Sequence, residues 1–360
     1  MSIHFHKLTI CDIRKETNDC VSIAFDIPDN LKETFRFREG QNITVRTNIN
    51  GEEIRRSYSI CSSPFDNELR VAVKSVQDGR FSKFANEKLR KGDSLEVLPP
   101  TGKFHTDLDA NHKKSYLAFA AGSGITPILS IIRTTLATEP KSNFTLVYGN
   151  RNRGSIIFKE VLEALKNRFI NRFRVIHVLS RERTDSAVNA GRINAEKVAE
   201  LSKQLVNIPA TDQFFICGPE EMIFSVRDYL LNNGVAAQKI HFELFTTPGQ
   251  KLKDTTITTP DIKNDGPVAR VSVRLDGIGF DFELPYNSIS ILDAALKQGA
   301  DLPYACKGGV CATCRAKLIS GKVSMDINYA LEPDELAAGF ILTCQSHPRT
   351  DSVVVDFDTK

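Results

Sequence analysis

No run of 18 or more uninterrupted apolar residues occurs in this 360-residue chain, so a membrane-spanning helix is not expected. The first seven residues, MSIHFHK, lack a secretory apolar core and a cleavage site, and the chain reads as cytoplasmic. Lys and Arg are not gathered into a basic stripe, which argues against nucleic acid as a partner. No internal repeat is visible, and no strict G-x-G-x-x-G dinucleotide fingerprint occurs. Neither a di-iron Glu-x-x-His pair nor a Rieske Cys/His set is present, so the chain is not itself an oxygenase of those kinds.

What remains is ordinary soluble composition, 41% hydrophobic and 25% charged, long enough for two or three domains. The net charge of +3 is unevenly spread. From Val268 onward nine Lys/Arg face twelve Asp/Glu, so the last segment is mildly acidic and the rest basic. Such asymmetry can help one domain dock on another, although solvated faces would give the same counts.

The eight cysteines fall into two groups. Cys11, Cys20, Cys61 and Cys217 are scattered; reduced thiols are the default in such a protein, and Cys11 and Cys20 read as small buried hydrophobes in strands. Cys306, Cys311 and Cys314 stand in a C-x4-C-x2-C run, with Cys344 returning later. That is the plant-type spacing for a 2Fe–2S cluster, a one-electron carrier held by four thiolates. Gly308 and Gly309 suit a loop that must wrap around inorganic sulfide, because glycine allows positive φ. Cys-x-x-Cys is also a zinc spacing, but zinc sites usually combine two well-separated short pairs.

Three segments can be separated along the chain. Residues 1–108 carry short alternating runs with turn residues between them, including Asn50-Gly51, and imply a small antiparallel β-barrel. Residues 109–245 alternate continuous apolar strands with helical runs, implying a doubly wound parallel sheet. Residues 246–267 are polar and punctuated by Pro and Gly, a linker. Residues 268–360 open with a hairpin around Asp276-Gly277, continue with a helix over 289–298 and carry the cysteine run. The fold class is therefore multidomain: β, then α/β, then α+β.

Several short motifs fit nucleotide and flavin chemistry. Arg56, Tyr58 and Ser59 on one strand could pair with a diphosphate, stack on a ring and hydrogen-bond it; an edge-strand arginine would read the same way. Gly79 to Ser82 can open a helix whose free N–H groups receive phosphate, or form an ordinary glycine turn. Gly122 and Gly124 join a strand to a helix, with Pro127 in the first turn, as either a nucleotide loop or a packing turn.

Together these motifs resemble the ferredoxin–NADP reductase superfamily, in the branch with a C-terminal plant-type, β-grasp ferredoxin domain. The resemblance implies that Arg56, Tyr58 and Ser59 hold FAD, that Val73 and Lys74 lie beside it, and that Gly79 and Ser82 meet its phosphates. It assigns Gly122, Gly124, Thr126 and Pro127 to the nicotinamide loop and places Cys217 beside the nicotinamide. Ser59, Thr126 and Cys217 would then lie near the reacting atoms, and Phe245 would be the aromatic that covers the flavin, core packing being an equal reading. Ser180-Arg181 resembles the NADPH-preferring type, while Glu182 keeps NADH open. Cys306, Cys311, Cys314 and Cys344 would ligate the cluster. The implied activity is an NAD(P)H-dependent reductase feeding single electrons to a separate oxygenase. The cluster segment resembles reductases of di-iron monooxygenases of the acyl-CoA epoxidase type, and reductases of ring-hydroxylating, steroid or alkane hydroxylases and desaturases share the architecture. A redox sensor without dehydrogenase activity is the alternative from another class.

Overall fold

The computed structural model describes residues 4–245 and 267–359. The linker expected over 246–267 lies outside the described residues apart from Pro267.

The first unit is a six-stranded antiparallel sheet, ordered Glu52–Ser59, Asn42–Ile49, Ser94–Val97, His6–Thr17, Cys20–Asp26, Leu69–Lys74. It closes into a barrel where Ile60 bridges Val71 and the Cys61 amide donates to the Arg70 carbonyl at 2.8 Å. Alternation supplies the core: Leu8, Ile10, Ile23, Ile43, Val45, Ile54 and Val97 point inward and are essentially solvent-free. Asn50-Gly51 forms the expected tight hairpin, with φ of 55° and 84°. One expectation fails. Cys20 is buried, but Cys11 is exposed, because the register shifts between Ile10 and Asp12 and leaves Cys11 as the extra residue of a β-bulge.

The second unit is a five-stranded parallel sheet in the order Ile240–Glu243, Gln213–Cys217, Ser115–Ala121, Asn143–Asn150, Phe173–Leu179. Its central strands Ser115–Ala121 and Gln213–Cys217 are almost wholly apolar and buried because helices cover both faces. The chain order reverses between Ser115–Ala121 and Gln213–Cys217, and the carboxyl ends of those two strands therefore border the crevice where open α/β sheets bind ligands. Helix Ile125–Thr138 springs from that point. It also seats the barrel: Ser130 Oγ donates to the Ser62 carbonyl at 2.6 Å and Arg133 pairs with Asp66 at 2.7 Å.

The third unit is a mixed sheet ordered Ile278–Pro285, Val268–Leu275, Ser352–Asp356, Arg315–Ser320, Phe340–Leu342, in which the first strand pairs parallel with the last-formed one. Asp276-Gly277 makes its hairpin with φ of 55° and 74°. The helix expected over 289–298 runs Ile291–Lys297, started by Ser290, whose side chain accepts from the Asp293 amide at 3.2 Å. No helix among the described residues is long and apolar enough to cross a membrane.

Candidate functional site

The cysteine run lies in the loop between helix Ile291–Lys297 and strand Arg315–Ser320, and Cys344 sits in a short turn after Phe340–Leu342. The Thr343 amide and hydroxyl both donate to the Cys314 carbonyl, at 3.2 and 3.0 Å, which ties the distant segment to the loop. The four sulfurs fall into two interacting pairs, Cys306 with Cys311 and Cys314 with Cys344. Within the first pair the interaction with Cys306 lowers the Cys311 thiol, while Cys311 and burial raise that of Cys306. Four cysteine thiols brought together in one loop and one returning turn suit a 2Fe–2S cluster, for which they would supply the thiolates. The loop backbone turns toward sulfur as well, and the Gly308 amide reaches Cys306 Sγ at 3.3 Å.

Glycine's part in this loop matches expectation at Gly309 and not at Gly308. Gly309 has φ of 75°, and a Cβ there would stand 2.8 Å from the Ile327 carbonyl oxygen. Gly308 is not in the positive-φ region; Lys307 and Ala312 are, each at φ 51°. Two non-glycine residues in that conformation mark a strained loop, as is common where a backbone must serve a bound group.

In the barrel, antiparallel pairing sets Tyr58 opposite Ile43 and Arg56 opposite Val45. Tyr58 is flanked by Phe81, with ring centroids 5.5 Å apart, while Arg56 is exposed and its guanidinium bonds the Arg55 carbonyl at 2.8 Å. Gly79 caps helix Arg80–Glu87, and Ser82 there is already engaged, donating to the Gly79 carbonyl and accepting from the Val76 amide. Val73 is buried and Lys74 half-buried.

In the nucleotide unit Gly124 is forced by close approach: a Cβ would lie 2.0 Å from the Cys217 carbonyl oxygen. Gly122 has φ of 55° and open space beyond it, where the nearest atom to a Cβ is the Lys74 ammonium at 3.9 Å. A glycine cradle facing a cation fits a phosphate-bearing nucleotide. Thr126 and Cys217 are buried, and Pro127 lies in the first turn of its helix. Burial raises the Cys217 thiol well above its usual range, so it is a neutral wall. Ser180 and Arg181 follow strand Phe173–Leu179, their amides bonded to the Asn150 and Arg151 carbonyls. The buried Asn150 Nδ2 has no partner among the described residues, a spare donor beside them. Phe245 is 39% exposed.

One residue was missed from the sequence. Glu243, opposite Cys217 in the register, accepts a hydrogen bond from Ser59 Oγ at 2.7 Å. Burial, with a contribution from Cys311, lifts its carboxyl to about 7. A carboxyl thus links the Ser59 hydroxyl to the Cys217 strand, within electrostatic reach of Cys311. Its only sequence signal is an acid that ends the short strand Ile240–Glu243.

Family models match residues 7–106 as an oxidoreductase FAD-binding domain, 119–228 as an oxidoreductase NAD-binding domain and 273–349 as a 2Fe-2S iron-sulfur cluster binding domain. The chain is 48% identical over 356 residues to a subunit of 1,2-phenylacetyl-CoA epoxidase from Escherichia coli, covering 99% of this chain and 98% of that one. The chain belongs to the FAD- and 2Fe–2S-containing oxygenase-reductase family. Another relative of this reductase is the ferredoxin reductase component of 3-ketosteroid-9-alpha-monooxygenase from Rhodococcus rhodochrous, 34% identical with 97% of this chain and 96% of that one covered. Among solved structures, phthalate dioxygenase reductase matches with a TM-score of 0.58 at 25% identity, covering 98% of each chain. The reductase is thus an NAD(P)H-dependent flavin and iron–sulfur oxidoreductase, with a domain for each of its three cofactors.

Proposed function

We propose that this reductase takes electrons from NADPH, passes them through FAD and its 2Fe–2S cluster, and delivers them singly in the cytoplasm to a di-iron oxygenase of the phenylacetyl-CoA epoxidase type. The division of labour follows residues 1–108 for FAD, 109–245 for the coenzyme and 268–360 for the cluster. A flavin accepts the hydride pair of a nicotinamide and gives electrons up one at a time, as the cluster requires. The observation that carries the reading is the placement of the cluster loop: Thr313, between Cys311 and Cys314, hydrogen-bonds Thr44 at 3.1 Å, and Thr44 bonds Ser57 on the Arg56–Ser59 strand at 3.1 Å.

Each chain residue then has a task. Arg56 pairs with the flavin diphosphate, Tyr58 stacks on the ring, and the Arg80–Glu87 helix start receives phosphate beside Gly79 and Ser82. Gly122 admits the coenzyme phosphates close to Lys74, while Thr126 and Cys217 wall the nicotinamide side and exclude water. Ser59 orients the ring edge, and Glu243 Oε2 holds or releases a proton near neutral pH through Ser59. Phe245 is the candidate cover for the ring. The four cysteines supply the thiolates of the cluster.

The preference for NADPH is supported by the surroundings of Ser180 and Arg181. Glu182, the carboxylate that would favour a free 2′-hydroxyl, is engaged by Arg153 through its guanidinium at 2.9 Å and its amide at 2.7 Å. Arg181 is exposed and makes no ion pair among the described residues, so a 2′-phosphate would meet an available cation. Steady-state kinetics on Arg181→Ala test this. KM for NADPH should rise about tenfold or more, as expected for losing a charge-assisted bond, with KM for NADH unmoved. Equal KM values for both coenzymes in the parent reductase would overturn the preference. The identity of the relative points to the partner: mixing the reductase with the oxygenase subunits of a phenylacetyl-CoA epoxidase should give NADPH-dependent epoxidation, and failure there with success on a ring-hydroxylating oxygenase would reassign it.

A further inference from the structure

Two adjacent arginines on the flavin strand face opposite ways. Arg56 shares a face with Tyr58, whereas Arg55, paired across from Arg46, points out of the barrel. Yet Arg55 is one of the few buried arginines, its side chain 6% exposed, because the C-terminal domain covers it. Its Nη1 donates to the Leu302 carbonyl at 3.0 Å and its Nη2 to Asp301 Oδ1 at 2.9 Å, both just upstream of Cys306. The guanidinium lies 4.2 Å from the centroid of Tyr304 and 5.0 Å from that of Phe5, while Nε is held by Glu53 at 2.8 Å. All three nitrogens of the group are therefore used, and two aromatic rings lie against it.

Arg46 adds a second contact to Asp301 at 3.4 Å, and the Thr44–Thr313 hydroxyl pair lies one step further along the same strand face. Lys103 reaches Asp334 at 3.0 Å and Glu335 at 3.5 Å. The junction thus sets barrel cations against carboxylates of the acidic domain, and the planar fork of Arg55 is its most enclosed member.

We propose that Arg55 is the positioning residue that clamps the cluster loop onto the flavin-binding strand, through Asp301, the Leu302 carbonyl and the Tyr304 ring. This rests on the electron path given above. Arg55 touches neither flavin nor iron in this scheme. It acts by fixing the approach of residues 301–314 to strand Glu52–Ser59, with Arg46, Lys103 and the Thr44–Thr313 pair as further supports of the same junction. A tethered domain spends its time docked or undocked according to such contacts, and electrons cross only when it is docked. Loss of charge-assisted bonds of this kind lowers the docked-to-undocked ratio by about ten- to a hundredfold. Each transfer oxidises the reduced flavin by one electron and reduces one iron of the cluster, so no further reactant is needed.

The test uses the fully loaded reductase with Arg55→Ala and, separately, Asp301→Asn, whose side chain is 68% exposed and outside the barrel fold. Small-angle scattering reports docking independently of turnover: both variants should expand relative to the parent, more so at high salt, where exposed ion pairs are screened. In rapid mixing, NADPH should reduce the flavin at the parental rate, while onward reduction of the cluster slows about tenfold. Arg55→Lys, which keeps the charge but loses the fork, should fall between. The double variant should fall short of the sum of the two single effects, since both remove the Arg55–Asp301 contact and Asp301→Asn adds only the loss of the Arg46 pair. Unchanged scattering and unchanged flavin-to-cluster rates in both single variants would overturn the clamp. A parent reductase whose cluster is never reduced by NADPH would instead overturn the electron path itself, a separate result. If Arg55→Ala fails to fold, Asp301→Asn alone decides.

Discussion

Replacing Glu243 with glutamine should stabilise the reductase above neutral pH and leave it unchanged in acid. The carboxyl sits between Ser59 and the Cys217 strand, and burial raises it from an ordinary 4.5 to about 7. A carboxyl with a raised folded value holds its proton in the folded state after the unfolded chain has lost it. Stability is therefore undiminished below about pH 4.5, falls between there and about 7, and stays lowered above. At 1.36 kcal/mol for each pH unit of difference, the full penalty is about 3 kcal/mol, and the partial exposure of the side chain brings it nearer about 2. Glutamine keeps an oxygen for the Ser59 hydroxyl and cannot ionise, so the penalty vanishes. Melting curves of parent and variant from pH 4 to pH 9 (about half-unit steps) read this directly. The gap in Tm should open as pH rises toward 7 and then level off. The same variant should lose any inflection near pH 7 in the rate of flavin reduction. A Tm gap constant across the range would refute the assignment of a buried, proton-holding Glu243.

Other substitutions probe different parts of the molecule. Arg70, 4% exposed in the barrel wall, bonds Asp12 at 2.6 Å, Glu68 at 2.8 Å and Ser22 at 2.9 Å. Arg70→Ala should cost about 2–3 kcal/mol in thermal unfolding, below the largest values for buried pairs because both carboxylates retain some water. Hydrogen bonding to Arg70 holds Asp12 and Glu68 below their usual range, so the parent's advantage should be complete above about pH 4.5 and fade as pH drops through the lowered values. A loss independent of pH would contradict this. Gly124→Ala must move the Cys217 carbonyl, and coenzyme-dependent flavin reduction should fall at least tenfold (a rough bound) with FAD content retained; a normal rate would show that the loop has room. Cys344→Ser should remove the cluster's colour and spectroscopic signal while NADPH still reduces an artificial acceptor at the flavin; loss of both would mean that the domains are not separable in function.

Much of this architecture is written in local chemistry. Asn50-Gly51 and Asp276-Gly277 announce hairpins because two successive positive φ values demand those residue types. The parallel sheet is visible because strands buried on both faces are apolar without interruption. The cysteine run carries its own spacing. What escaped depends on partners far away in the chain. Arg55 and Arg56 are indistinguishable as letters, and their difference arises because one face of the strand meets a domain some 245 residues downstream, at Asp301 and Leu302. Glu243 becomes a candidate only when Ser59 and Cys217 are brought beside it. Cys11 escapes burial through a bulge that no alternation pattern records. In the cluster loop Gly309 takes a positive φ as its residue type allows, but Lys307 and Ala312 do so as well, which their letters do not announce.

Electron paramagnetic resonance on the anaerobic, iron-replete reductase alone, frozen after addition of NADPH, measures the path from coenzyme to cluster most directly. The account predicts the signal of a reduced 2Fe–2S cluster in the parent and its absence in Cys344→Ser. A flavin that is bleached by NADPH beside a cluster that stays oxidised would contradict it.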